Sequence, residues 1–224
     1  MRKSFALFGM LLLLAGCSRS QNEQVSRYHD DGREKPVVVV APVYDRHSVE
    51  MPWNLAEDLT FTIRNKMLKR NTMYLTASDH TVSVESLLEE GKNPFVGETK
   101  WISDQFKEGE FVAFVELVEH KIHERTPTNS IFEVVTPDYV LNAKMRVRIF
   151  DLRGIEPTLV LQEIINQSHL IPTQIATMNF KQARWGRKTY GITPLGIAHS
   201  LLCKETAKRI EDYVLLAKSR SHAK

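Results

Sequence analysis

Three residues just beyond the first predicted strand have the side chains of acid–base and nucleophilic chemistry: Asp45, His47 and Ser48. They follow the apolar run 37–43, and open α/β sheets place ligand crevices at the carboxyl ends of such strands. A carboxylate, an imidazole and a hydroxyl are the three side chains of a hydrolase catalytic triad. Three neighbours in one loop cannot generally adopt the nucleophile, base and orienting geometry, and no Gly-x-Ser-x-Gly turn is present. We therefore predict a crevice here, with loop solvation or helix capping favoured over catalysis.

Imidazoles and carboxylates also cluster near the end of a later predicted strand, and such side chains suit zinc or a similar ion. The cluster comprises Glu116, Glu119, His120, His123 and Glu124. On a continuing strand His120 and His123 point to opposite faces, and neither lies on a helix where one-face ligation is natural. The sequence favours a polar strand end over a metal site, and we predict no cofactor.

The segment 186–193 begins like a phosphate-binding loop and precedes a predicted helix. Ile192 stands where that motif requires a lysine to reach the β and γ phosphates, and no buried strand immediately precedes the segment. Nucleotide binding is therefore not predicted.

The same region contains a basic and aromatic cluster of Arg184, Trp185, Arg187 and Lys188. An exposed tryptophan beside several cations is typical of a surface that docks an acidic or aromatic partner, or a lipid headgroup. A solvated basic loop is the alternative. We predict this cluster as the candidate partner-binding site.

The amino terminus has the features of a secretion signal: the basic pair Arg2 and Lys3 and then the apolar run 5–15. That run is about half of the roughly 20 residues needed to cross a bilayer. Its last residues, Leu14-Ala15-Gly16-Cys17, resemble the bacterial lipobox. The resemblance implies cleavage before Cys17, acylation of Cys17 and attachment to the membrane through the lipid. Because Ser18, not aspartate, follows, it also implies the outer membrane.

Composition limits the classes of partner. Loss of residues 1–16 removes two basic residues and no acidic one, so the formal charge falls from +3 to +1. A near-neutral chain gives no reason to predict nucleic-acid binding. Lipidation of Cys17 leaves Cys203 without a partner in the chain, and its apolar helical surroundings predict a buried thiol.

Composition also predicts the domain limits. Residues 1–16 are a signal peptide, and the polar residues 17–36 are a lipidated flexible tether that cannot bury a core. Residues 37–217 form a single periplasmic α/β domain, and residues 218–224 form a frayed basic tail.

Hydrophobic patterns predict a mixed sheet of about five strands with two long helices packed on it. The domain starts with a βαβ unit, continues with a strand meander and ends with a closing helix. The predicted strands are 37–43, 73–76, 111–118, 139–150 and 158–167, the long helices follow Asn54 and Thr193, and shorter helices are 84–90 and 99–106. A loop or hairpin is predicted at 126–137. On strand 139–150, Lys144, Arg146 and Arg148 should share one face.

This order of elements resembles the small α/β domain shared by the TolB amino-terminal domain, the curli secretion lipoprotein family and lipoprotein activators of peptidoglycan synthases. The resemblance covers residues 36–217 and is in element order, not in a signature motif. The whole chain also resembles an uncharacterised lipoprotein family of the Chlamydiae. Two features depart from the pattern: residues 171–191 form an extra segment, and no membrane-spanning hairpins support a curli-type pore.

The sequence therefore predicts a lipid-anchored bacterial envelope protein whose non-enzymatic periplasmic domain binds another envelope protein. Two alternatives remain open at this point. One is an envelope hydrolase that uses the crevice near Asp45, His47 and Ser48, and the other is an oligomeric export component.

Overall fold

The computed structural model describes residues 26–47, 50–77, 81–124, 139–172 and 183–220. The strands are β1 (Val37–Val40), β2 (Tyr44–Asp45), β3 (Tyr74–Leu75), β4 (Phe111–Glu124), β5 (Tyr139–Asp151) and β6 (Thr158–Ile171). The helices are α1 (Leu55–Arg70), α2 (Val84–Glu89), α3 (Trp101–Gln105) and α4 (Pro194–Arg220), with a 3-10 helix at Tyr190–Ile192. The strands form one six-stranded mixed sheet in the order β3-β1-β4-β5-β6, with β2 beside β4. The predicted fold class is confirmed.

The amino-terminal part of the sheet is parallel. Strand β1 pairs in parallel with β3 and with β4, so β1, α1 and β3 form the predicted βαβ unit. The predicted strand 37–43 ends at Val40, and a separate strand, β2, follows at Tyr44–Asp45; both pair with β4. Pro42 lies in the break, where its missing N–H cannot contribute a ladder hydrogen bond.

The rest of the sheet is an antiparallel meander of long strands, β4-β5-β6. Met145 and its alternate neighbours on β5 are buried beneath the long helices, whereas Lys144 and Arg146 point to the other face, as predicted. Strand β4 continues to Glu124, beyond its predicted end at residue 118, because β5 pairs with it along its whole length.

Helices cover both faces of the sheet. Helices α1 and α4 pack on one face over a core that includes Leu59, Met145 and Cys203. Helices α2 and α3 cover part of the other face around Phe114, which contacts several aromatic rings. Cys203 is fully buried, as predicted.

Both long helices begin with the predicted amino-terminal caps. The Asn54 side chain accepts a hydrogen bond from the backbone N–H of Glu57 at the start of α1. The Thr193 hydroxyl accepts one from the N–H of Gly196 at the start of α4. Because each cap satisfies a free amide of the first turn, both long helices begin where the sequence places them.

Residues 26–36 differ from a flexible tether. A turn brings Tyr28 opposite Glu34, and the Lys35 side chain is buried, where its ammonium group donates to the Asn71 side chain at 2.7 Å. Asn71 ends α1 in the left-handed conformation, at φ 56°. The cation therefore lies at the negative end of a helix dipole, which stabilises the contact of this segment with the domain.

The carboxyl end of α4 also extends past its predicted limit. The helix continues to Arg220, three residues into the predicted basic tail, because Lys218 forms an ion pair with Glu110 at 2.5 Å. Arg153 adds a hydrogen bond to the carbonyl of Ala217 at 3.0 Å. These contacts fix the last turn of the helix to the sheet.

The predicted lipidation residue Cys17, the signal peptide, residue Ser48 and the predicted loop 126–137 lie outside the described residues. Among the helices that the structure describes, none combines the length and apolar character that a bilayer crossing requires.

Candidate functional site

A chain of buried and partly buried polar side chains joins four elements between the helices and the sheet. The Nε2 atom of His120 on β4 lies 2.8 Å from Nε2 of His199 on α4. Nδ1 of His199 lies 2.5 Å from the hydroxyl of Tyr190 in the 3-10 helix. Asp58 of α1 completes the cluster, with a carboxylate oxygen 3.8 Å from His199 Nδ1. We call these four residues the histidine cluster.

A β-bulge places His120 on the helix side of the sheet. Leu117 pairs with Met145 and His120 pairs with Ala143, although Leu117 and His120 are three residues apart. Side chains separated by an odd number of residues normally point to opposite faces, but the extra residue at Val118 restores the same face. The bulge therefore turns the imidazole towards α4.

A glycine brings Tyr190 close to α4. A Cβ atom on Gly196 would lie 2.8 Å from the carbonyl carbon of Tyr190, and closer still to its oxygen. Only glycine permits this approach without movement of the backbone. The Thr193 hydroxyl also donates to the carbonyl of Tyr190 at 2.8 Å. The first turn of α4 thus holds the tyrosine backbone while His199 holds its hydroxyl.

Hydrogen-bond pairing links the protons of the cluster. Burial raises the pKa of Tyr190, and the charge and hydrogen bonding of Asp58 raise it further, so the hydroxyl keeps its proton. That hydroxyl can donate to Nδ1 of His199 or accept from Nδ1–H. In the first tautomer Nε2–H of His199 donates to Nε2 of His120, and in the second Nε2–H of His120 donates to Nε2 of His199.

His120 resists protonation. Burial lowers its pKa to about 4, and the neighbouring His199 contributes in the same direction. Desolvation penalises the charged form of an imidazole, and a second cation beside His199 would add repulsion. His120 is therefore neutral at neutral pH and shares one hydrogen bond with His199.

Three of the four residues of the histidine cluster are buried. Asp58 is 2% exposed, His199 3% and Tyr190 6%, whereas His120 is partly exposed. The ring of Trp53 packs edge-on against Tyr190, with centroids 5.3 Å apart. The cluster therefore joins β4, α1, α4 and the 3-10 helix through largely buried polar contacts.

Cys203 does not supply a reactive thiolate. Burial raises its pKa, and Asp58 reinforces that shift. Its Sγ atom lies 3.9 Å from the carbonyl oxygen of Leu59. A protonated, buried thiol is a poor nucleophile, which agrees with the predicted structural role.

The residues predicted to form a crevice lie in different surroundings. An open pocket of about 490 Å³ lies between the end of β2 and the start of α1, and Asp45, Arg46, Trp53 and Glu85 are among its lining residues. His47 is exposed and does not line the pocket. The Asp45 carboxylate accepts from the backbone N–H of His47 at 3.1 Å, which is a local turn contact. The structure brings Asp45 to a pocket and leaves His47 outside it.

The predicted imidazole and carboxylate cluster is divided between the two faces of β4. Glu116 and Glu119 pair with Arg146 and Lys144 on the face away from the long helices. His120 lies on the opposite face, within the histidine cluster. Among the described residues, no three His, Cys, Asp or Glu side chains are placed to hold a metal ion.

The predicted partner-binding residues form an exposed loop that leads into the 3-10 helix. Arg184, Arg187 and Lys188 are exposed. Trp185 is half-buried, and its ring packs edge-on against Phe61 of α1 with centroids 5.9 Å apart. Two successive turns shape the loop, through hydrogen bonds from Arg187 N–H to the Arg184 carbonyl and from Tyr190 N–H to the Arg187 carbonyl. We call residues 184–188 the basic loop.

The geometry shows why the basic loop has a defined position. Tyr190 follows it directly and is fixed through His199, whereas Trp185 fixes its beginning through Phe61. A loop held at both ends loses less conformational entropy when it binds a partner. The histidine cluster therefore positions the basic loop.

The lowered pKa of His120 predicts a pH-dependent stability. The folded protein prefers the neutral ring, so this contribution is complete above the unfolded pKa of about 6.5 and is lost as the pH falls towards 4. The loss approaches about 3 kcal/mol of unfolding free energy at the acid limit. Urea unfolding between pH 7.5 and 4.5 measures it.

The variant His120→Gln keeps an N–H donor for His199 but does not titrate, so we expect a flatter pH profile. His47→Gln, which changes an exposed histidine outside the cluster, is the control and should keep the wild-type profile. An unchanged profile in His120→Gln would show that another group causes the pH dependence.

Known structures share the fold. The hypothetical protein CT253 from Chlamydia trachomatis is 25% identical, with a TM-score of 0.62, and the match covers 80% of this chain and 98% of that chain. This agrees with the chlamydial resemblance of the sequence. The resemblance to TolB-type domains stays a prediction.

More remote structures include two bacterial proteins. Lipoprotein GNA1162 from Neisseria meningitidis is 14% identical, with a TM-score of 0.35, over 59% of this chain and 83% of that chain. Protein XCC0632 from Xanthomonas campestris is 4% identical, with a TM-score of 0.47, over 85% of this chain and 89% of that chain.

No curated protein matches the chain. The model of a family of unknown function, DUF7499, matches residues 24–218, which include every described strand and helix except the last two residues of α4. The chain therefore belongs to the DUF7499 family.

Proposed function

We propose that this protein is a lipid-anchored envelope lipoprotein that binds an acidic envelope component through the basic loop. The proposal places the lipid on Cys17 and the domain in the periplasm, at the outer membrane. The observation that carries it is a rigidly held, exposed loop with three cations that have no carboxylate partner within the described ranges. The domain acts by binding, not by catalysis.

Support for the anchor comes from the sequence. The apolar run before Cys17 is too short to remain as a transmembrane helix, and it ends in a lipobox-like motif. Each buried methylene contributes roughly 0.8 kcal/mol, so two or three acyl chains hold a protein to a membrane lastingly. The domain itself needs no apolar surface for this attachment.

The contacts of Lys35 and of the basic loop support a position of this loop away from the predicted anchor. Lys35 lies at the carboxyl end of α1, where it contacts Asn71, and this segment leads back towards Cys17. The basic loop leads into the amino-terminal end of α4, next to Phe61 of α1. A domain tethered at one end of α1 can present the other end to a component beyond the membrane surface.

Charge supports an acidic partner. Several basic side chains elsewhere in the described part of the chain face carboxylates of the same chain, although Lys69, Lys121, Lys204 and Lys208 do not. These pairs are Lys144–Glu119, Arg146–Glu116, Arg153–Asp151, Arg209–Glu205 and Lys218–Glu110. Arg184, Arg187 and Lys188 lack such a pair within the described residues. Their positive charges are therefore available to an acidic partner. Unpaired rim charges of this kind accelerate encounter with an oppositely charged surface.

The anchor predicts the mass of the mature protein. Protein from its native membrane should have the mass of residues 17–224 plus acyl chains, because cleavage precedes Cys17 and the thiol is modified. Intact-mass analysis beside a Cys17→Ser variant tests this. The variant should lose the acyl mass and leave the membrane fraction, whereas an unmodified wild-type mass would refute the anchor.

The basic loop predicts site-specific crosslinks. A photo-crosslinking amino acid at Lys188 should capture a discrete partner in intact envelopes, because the side chain is exposed beside Arg187 and Arg184. The same group at Lys208, an exposed lysine on α4, is the matched control and should capture little. The readout is the set of adducts on a denaturing gel.

Charge reversal in the double variant Arg184→Glu/Arg187→Glu should reduce the Lys188 adduct at least five-fold, and added salt should weaken the wild-type adduct. Equal adducts at Lys188 and Lys208, or an adduct that survives charge reversal, would contradict binding through the basic loop. The anchor and the binding site are thus tested separately.

A further inference from the structure

Strand β6 leaves one side of the sheet open within the described residues. Its fourteen residues pair with β5 on one side, and β6 is the last strand in the sheet order. An edge strand presents a row of backbone N–H and C=O groups that can pair with another strand. A long open edge is therefore an interaction surface.

The edge lacks the usual protective residues. Proteins commonly block such edges with lysine, proline or a bulge. Strand β6 contains no lysine, arginine or proline, and its one acidic residue, Glu163, is turned towards α4 and lies 3.8 Å from Arg209. A register shift at Val160 interrupts the ladder near the start of the strand. Regular pairing remains available over residues 161–171.

The exposed face of this edge strand is also partly apolar. Alternate side chains between residues 162 and 170 are exposed, and among them Ile164 and Leu170 are each 54% exposed. On a neutral edge these large side chains gain from contact with another apolar side chain. A charged or strongly polar strand is a poor occupant.

The residue order of β6 fits a second copy of itself. When two copies pair in antiparallel about Asn166, each residue faces the one that lies equally far on the other side of Asn166. Leu161 then faces Ile171 of the partner subunit, and Glu163 faces His169 of the partner subunit. The first is an apolar pair, and in the second the carboxylate can accept a hydrogen bond from the imidazole. The other pairs of this register, Gln162–Leu170, Ile164–Ser168 and Ile165–Gln167, each combine a polar with an apolar side chain.

The same register also brings matching side chains together on the exposed face of the strand. Ile164 becomes the diagonal neighbour of Leu170 of the partner subunit, within reach of a long side chain. Asn166 faces Asn166 of the partner subunit, and an amide can donate to and accept from its copy. The whole regular run from 161 to 171 is used, with no like charges opposed.

We infer that this protein forms a homodimer by antiparallel pairing of β6 with β6 of a second copy, about a two-fold axis at Asn166. The axis is normal to the sheet, so the helix-covered faces of both copies lie on the same side of one continuous sheet. The pairing uses neither the basic loop nor Cys17, and therefore goes beyond the proposed function and does not depend on it.

Sedimentation velocity of the detergent-solubilised mature protein tests the dimer. Wild-type protein should sediment as a dimer at micromolar concentration. Asn166→Lys places two cations opposite each other at the axis and should raise the dissociation constant at least ten-fold, and Asn166→Glu should do the same. Mixing the two variants should restore a heterodimer, because the residue faces its own copy.

Thr158→Lys is the matched control, since Thr158 is exposed on the same strand but lies before the register shift. It should leave the dimer intact. The far-ultraviolet circular dichroism spectrum should be unchanged in all variants, because the substituted side chains are exposed and each subunit keeps its fold. A monomeric wild-type protein, or an Asn166→Lys protein that still dimerises, would overturn the inference.

A second measurement reports the register in the native membrane. Asn166→Cys should form an intersubunit disulfide under mild oxidation, visible as a dimer band on a non-reducing gel. Wild-type protein should give no band, because Cys203 is buried. The absence of the band in Asn166→Cys would exclude pairing about Asn166, and pairing of β6 with an extended segment of another protein would give a heterologous adduct instead.

Discussion

The hydrogen bond between His120 and His199 is the contact on which the arrangement of the helix side depends. It joins the second half of β4 to the first turns of α4. His199 also contacts Tyr190, which follows the basic loop in the chain. A buried pair of this kind needs complementary protons, one donor and one acceptor, so it specifies the orientation of both rings. An apolar contact at the same place would allow more arrangements.

A second set of contacts fixes the other end of the helices. Glu211 of α4 accepts from Arg70 and from the Thr72 hydroxyl, and Lys218 pairs with Glu110. Helix α4 is therefore attached to the rest of the domain near both ends. The two ends of the domain therefore differ. The segment that leads to the predicted lipid contacts one end, and the basic loop and the pocket beside Trp53 lie at the other end.

Most of the fold follows from local sequence, but the histidine cluster does not. Strand and helix periodicity predict the βαβ start, the meander and both caps, because these depend on neighbours in the chain. The cluster combines Asp58, His120, Tyr190 and His199 from four separate elements, and the bulge at Val118 that aims His120 has no evident signature. One signal was present: Asp58 and His199 each lie within an apolar helical face, where a polar side chain needs a buried partner. By contrast the residues of the basic loop are adjacent in sequence, so composition alone identifies them.

Nitrogen-15 NMR of the histidine side chains shows whether His120 and His199 share one proton, because it reports which ring nitrogens carry protons. We predict that at pH 7 His120 is neutral and that a coupling crosses the hydrogen bond between the two Nε2 atoms. A protonated His120, or the absence of that coupling at a pH where the protein is folded, would contradict the role of this histidine pair in positioning α4.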